Sequence, residues 1–119
     1  MELVLKVLLA VIASLHLWFL VLEMFFWRKP LGLKTFRMNQ AKADESAILA
    51  ANQGLYNGFL AAGLVWGGLA ENGAFAVRLF FLSCVVVAGL FGAATVSRRI
   101  FFIQALPALI ALGLLFLHG

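Results

Sequence analysis

The chain has 119 residues, of which 65% are hydrophobic and 12% charged, and its mean hydropathy is +1.07. That length fits one domain, but so few polar side chains cannot cover a water-soluble globule, and so much Leu, Val and Phe argues against disorder. The formal charge of +4 comes from basic residues in short segments between apolar runs. They form no stripe for a nucleic acid and point instead to anionic lipid head groups. An integral membrane protein remains. The single cysteine, Cys84, lies in an apolar run, which leaves no intrachain disulfide and no thiolate metal cluster.

A helix needs about 20 apolar residues to cross the hydrocarbon layer. Leu3 to Trp27 is the first such run. Its early Lys6 is signal-like, but Glu23-Met24-Phe25-Phe26-Trp27 stands where a small-residue cleavage site belongs, so the run is expected to stay in the mature chain. Residues 28–46 form a basic polar loop with Pro30-Leu31-Gly32, then Leu33, Phe36 and Met38 among the bases. That mixture fits either a short amphipathic helix on the membrane surface or an ordinary basic loop. Asp44, with Glu45 and Ser46 behind it, is the expected N-cap of the second span, Ala47 to Ala70. Glu71-Asn72-Gly73 then turns into the third span, Ala74 to Val96, and Ser97-Arg98-Arg99 into the fourth, Ile100 to His118. Pro107 removes a backbone donor and frees the carbonyl of Ile103, which predicts a kink in the fourth span. Continuous apolar runs without alternation do not suit a membrane barrel. The expected fold is all-α: one transmembrane domain over residues 1–119, an antiparallel up-and-down four-helix bundle.

Lys and Arg near the span ends set the orientation. Arg28, Lys29, Lys34, Arg37 and Lys42 in the first loop share a side with Arg98 and Arg99, against Lys6 and Arg78 on the other. The loop 28–46 is therefore expected in the cytoplasm and both termini outside it. Trp27 beside Arg28 and Lys29 suits the cytoplasmic interface.

Polar groups within the spans mark candidate sites, because an ionised side chain at a membrane helix centre costs about 2.5–3.5 kcal/mol even on the lenient insertion scale. Glu23 is the clearest, and His16, seven residues earlier, falls within about 20° of it on the same helix face. The second span carries Asn52, Gln53, Tyr56 and Asn57 within six residues, and the fourth carries Gln104. With the spans antiparallel, Glu23, Asn52, Gln53 and Gln104 all fall within about 6–10 Å of the cytoplasmic helix ends, and His16, Tyr56 and Asn57 lie deeper. These seven residues predict a polar pocket in the cytoplasmic half. Gly54, Gly58, Gly63 and Gly67 supply small-residue spacing for close helix approach. One His and one carboxylate make no metal site, and no catalytic triad, nucleotide-binding pattern or cofactor motif is present.

At these residues the chain resembles the uncharacterised bacterial membrane proteins called domain of unknown function 1304. The likeness rests on His16 and Glu23, on the run Asn52-Gln53-Gly54-Leu55-Tyr56-Asn57-Gly58-Phe59-Leu60-Ala61-Ala62-Gly63, on Ala88-Gly89-Leu90-Phe91-Gly92 and on Gln104-Ala105-Leu106-Pro107-Ala108. It implies a four-span, multi-pass protein of the bacterial cytoplasmic (inner) membrane and carries no established activity. Two characterised four-span groups share the size. Small multidrug exporters have an essential glutamate in the first span, but Glu23 is nearer the membrane edge and their surrounding motif is absent. The membrane-associated glutathione-metabolising family has an Asn and a Glu at the start of its second helix; Asn52 could correspond, but that Glu and the accompanying Arg residues are missing, which argues against glutathione chemistry.

Three functions compete. The leading one is binding or transport of a small polar or amphipathic molecule, with Glu23 as charged anchor and the amides orienting the ligand. The second is a membrane enzyme using His16 and Glu23 as acid and base, although seven residues separate them by about 10.5 Å along the axis. The third is a structural subunit in which the polar layer only joins helices. Four short spans enclose little volume, so a transporter of this size is expected to form a homodimer.

Overall fold

The computed structural model describes residues 1–118, and among them there is no strand. Helix α1 runs Glu2–Phe25, α2 Pro30–Phe36, α3 Gln40–Leu69 and α4 Ala74–Thr95; a π-helical turn, Phe101–Ala105, leads into α5, Leu106–His118. The all-α expectation holds, and the ends of three expected spans agree with α1, α4 and Phe101–His118. These three are long and apolar enough to cross a membrane, with mean hydropathies of 2.3, 2.3 and 2.0.

The expected second span is not among them, so four apolar spans become three. Helix α3 has the length, at 30 residues. Asn52, Gln53, Tyr56 and Asn57, together with its glycines, dilute its apolar content. It also starts earlier than expected. Asn39, not Asp44, caps it: the Asn39 carboxamide oxygen accepts from the Lys42 backbone N–H at 2.8 Å. Asp44 lies within the helix and accepts from Gln40 Nε2 at 2.9 Å.

The stretch read as a loop is thus largely helical. Pro30 stands at the start of α2, where its missing N–H costs nothing. Arg37, in the left-handed conformation (φ 53°), ends the helix, and the Met38 N–H reaches back to the Leu33 carbonyl at 3.1 Å. The irregularity expected at Pro107 takes the form of the π-helical turn just before it, with the Leu106 N–H donating to the carbonyl of Phe101.

By internal packing the chain divides into two units, Met1–Ala13 with Leu60 onward, and Ser14–Phe59. In the first, Leu5, Leu9 and Ile12 of α1 join Ala61 and Leu64 of α3, Leu82 and Val85 of α4, and Ala108, Ala111 and Leu115 of α5 in one buried cluster. Each helix contributes a narrow stripe at three- and four-residue spacing. The wider faces point outward and are apolar, as with Phe80, Val87, Phe91, Phe116 and Leu117. Only 28%, 22% and 22% of the three apolar stretches are buried. An apolar exterior of that extent belongs against lipid. Gly89 admits the turn before α5: a Cβ there would come 2.6 Å from the Ala105 nitrogen.

In the second unit, the indole of Trp27 packs on Phe36, with ring centroids 4.8 Å apart, and donates to Ser46 Oγ at 3.0 Å. One side chain at the foot of α1 thereby fixes α2 and the start of α3. Gly32 of α2 lies directly on the carbonyls of Phe26 and Trp27, leaving no room for a Cβ. In Gly32→Ala and Gly89→Ala the added methyl meets backbone, so both are expected to lower the melting temperature in detergent by several degrees. Gly113→Ala, with nothing within 4 Å of its Cβ, is expected to leave it unchanged or raise it.

Candidate functional site

The second unit holds the candidate site. Gly54 and Gly58 of α3 let α1 come close: a Cβ on Gly54 would lie 2.7 Å from Met24 Cγ and 3.1 Å from Glu23 Cβ, and one on Gly58 would lie 2.8 Å from Leu20 Cδ1. That approach carries Glu23 of α1 to Asn57 of α3. The Asn57 carboxamide donates from Nδ2 to Glu23 Oε1 at 2.5 Å. Asn57 is buried and Glu23 partly so.

This bond leaves two acceptors over. Glu23 Oε2 and Asn57 Oδ1 have no partner among the described residues, yet no side-chain polar atom there is both sealed from the surface and unpartnered. Both oxygens are therefore reachable from outside. Nor is the carboxylate neutralised by a cation: the one ion pair among the described residues joins Arg78 to Glu2. An acceptor left without a donor can take an ammonium, a guanidinium or another N–H or O–H group.

Of the seven residues expected to form one pocket, Glu23 and Asn57 are brought into contact. Asn52, Gln53 and Tyr56 stand on the exposed face of α3. His16 is fully buried, with its ring edge-on to Phe19 at 5.6 Å, while the hydrogen bonding of Glu23 is confined to Asn57. Gln104 belongs to the first unit, in the π-helical turn. No group of three or more metal-ligating side chains occurs among the described residues.

A second polar cluster went unanticipated. In the first unit, the nearly buried Arg78 of α4 donates from Nε to the Gly67 carbonyl at 2.7 Å and from Nη1 to Glu2 at 2.6 Å. Sequence reading assigned Arg78 only to the charge count. The signal was present, because an arginine inside a span asks for a partner by the same rule that singled out Glu23.

The family model described as protein of unknown function (DUF1304) matches residues 10–116. The chain belongs to the DUF1304 family. It is also similar to the uncharacterised protein YpaA of Lactococcus lactis subsp. lactis (strain IL1403), at 24% identity over 112 residues, which cover 92% of this chain and 94% of that protein. No solved structure matches. The matched stretch includes Glu23, Asn57 and Arg78 but not Glu2, and the family's description carries no activity.

Asn57→Ala removes the one donor to a partly buried carboxylate and is expected to destabilise the chain by about 1–2 kcal/mol. Asn52→Ala, on the exposed face, is expected to have little effect. Thermal unfolding of both variants in detergent checks the contrast.

Proposed function

We propose that this chain is an integral membrane protein that binds a small amphipathic molecule carrying a cationic or hydrogen-bond-donating group, with Glu23 as the anchor. The carrying observation is the carboxylate itself: it stands on an apolar helix, is held by one amide, has no cation beside it and keeps an open oxygen. An ionisable group kept on a membrane helix without a counter-ion is costly and is a mark of function. The acid–base enzyme reading is weaker, because Glu23 and His16 share no hydrogen bond. A purely structural clasp has one observation in its favour, the tight seating of Gly54 and Gly58 against α1.

In this reading α3 crosses the membrane as a fourth helix, with Asn57 turned towards Glu23. Measured from Leu69, Asn52 lies about 25 Å along the axis, near the far edge of a hydrocarbon core of about 30 Å. Its amide and that of Gln53 then meet head groups and water, and Tyr56 sits where an amphipathic ring is favoured. The basic residues of 28–42 and Arg98 and Arg99 face the cytoplasm, where anionic head groups balance them, in the inner membrane of a bacterium.

Binding of a lipophilic quaternary ammonium probe, tetrabutylammonium, to the full chain in nanodiscs tests the anchor. Wild type is expected to bind it more strongly as the carboxyl group loses its proton with rising pH. Glu23→Gln, which keeps the shape and the bond to Asn57, is expected to lose at least about tenfold in affinity and the pH dependence with it. Equal affinity and an equal pH profile in the two proteins leave the structural clasp as the correct account.

A further inference from the structure

A groove of about 600 Å³ opens in the first unit, at the Glu2 end of α1. Glu2 and Lys6 of α1, Leu69 of α3, Glu71 of the α3–α4 turn, and Phe75 and Arg78 of α4 are among its walls. Its volume is within the range of small-molecule sites, about 300–1,000 Å³.

The charges sort themselves by whether they are already satisfied. Glu2 and Arg78 neutralise each other, with Nη1 2.6 and 3.2 Å from the two carboxylate oxygens. Lys6 and Glu71, both exposed, have no ion-pair partner among the described residues. Arg78 keeps a further donor: its Nη2 has no partner there, and since no unpartnered polar atom is sealed from the surface, it remains accessible on a residue that lines the groove. What is left over is therefore an anion site made by Lys6 and Arg78 Nη2, a cation site at Glu71, and an exposed apolar wall of Leu69 and Phe75. The Arg78 side chain is 6% exposed and anchored by Glu2 and the Gly67 carbonyl, so its free edge is fixed in place before any ligand arrives.

We infer that this groove binds a zwitterion, a phosphate or carboxylate joined by a short linker to an ammonium group, with an apolar part laid against Leu69 and Phe75. The anionic group takes Lys6 and the open edge of Arg78, and the ammonium takes Glu71. Phosphatidylethanolamine offers this chemistry as a lipid, and its head group alone offers it in solution. Glu23 is not among the walls of this groove.

The full chain in detergent micelles, titrated with dihexanoyl phosphatidylethanolamine and dihexanoyl phosphatidylglycerol and read by native mass spectrometry, tests it. Wild type is expected to retain the ethanolamine lipid preferentially. Lys6→Ala and Glu71→Gln, at exposed positions whose side chains make no hydrogen bond or ion pair among the described residues, are each expected to weaken that retention about fivefold. Glu71→Lys is expected to reverse the preference towards the glycerol lipid. Competition by soluble glycerophosphoethanolamine identifies a free zwitterion as sufficient, and its failure to compete identifies the lipid. Equal retention of the two lipids by wild type, or retention indifferent to all three variants, overturns the inference.

Discussion

An apolar solvent against the outer faces is the constraint from which the other features follow. Lipid tails are as apolar as leucine, so burying a leucine between helices gains nothing from the hydrophobic effect. What holds helices together in that medium is close backbone approach and a few polar bonds. Hence the small residues where elements meet, Gly89 on Ala105 and Gly54 on Met24. Hence also a narrow buried stripe on helices whose remaining faces carry Phe and Val outward.

The same constraint gives weight to the two ionisable groups drawn inside helices, and they are treated differently. Arg78 is answered fully enough to serve as a staple, through Glu2 and the Gly67 carbonyl, with one edge to spare. Glu23 is answered by a single neutral amide. A staple has no need of an open carboxylate oxygen, whereas a binding group does. That difference is the physical ground for reading Glu23 as an anchor and Arg78 as a fixed wall of a separate groove.

The apolar runs made α1, α4 and Phe101–His118 legible from sequence, because composition alone decides what can lie in lipid. The rest depended on which way a helix turns. Spacing put Asn52, Gln53, Tyr56 and Asn57 on one broad arc, and only packing revealed that Asn57 faces Glu23 while the other three face outward. The early start of α3 was obscured by charge: Lys42, Asp44 and Glu45 read as loop, although Asn39 is a good N-cap and Gln40 can pair with Asp44 one turn on. Helix α2 was one of two open alternatives, since seven residues around a glycine carry little periodicity; Trp27 and the fit of Gly32 on the Phe26 and Trp27 carbonyls decide it. Pro107 announced an irregularity but not its form, a wider helical turn against Gly89.

The proposed anchor requires α3 to cross the membrane in spite of its polar residues, so that Asn57 meets Glu23 from a second spanning helix. Single cysteines at its two ends, Lys42→Cys and Glu71→Cys in a Cys84→Ser background, labelled with a membrane-impermeant maleimide in sealed vesicles of known orientation, test this directly. Labelling of Lys42→Cys from the cytoplasmic side and of Glu71→Cys from the opposite side is the predicted result. Labelling of both from one side contradicts the account.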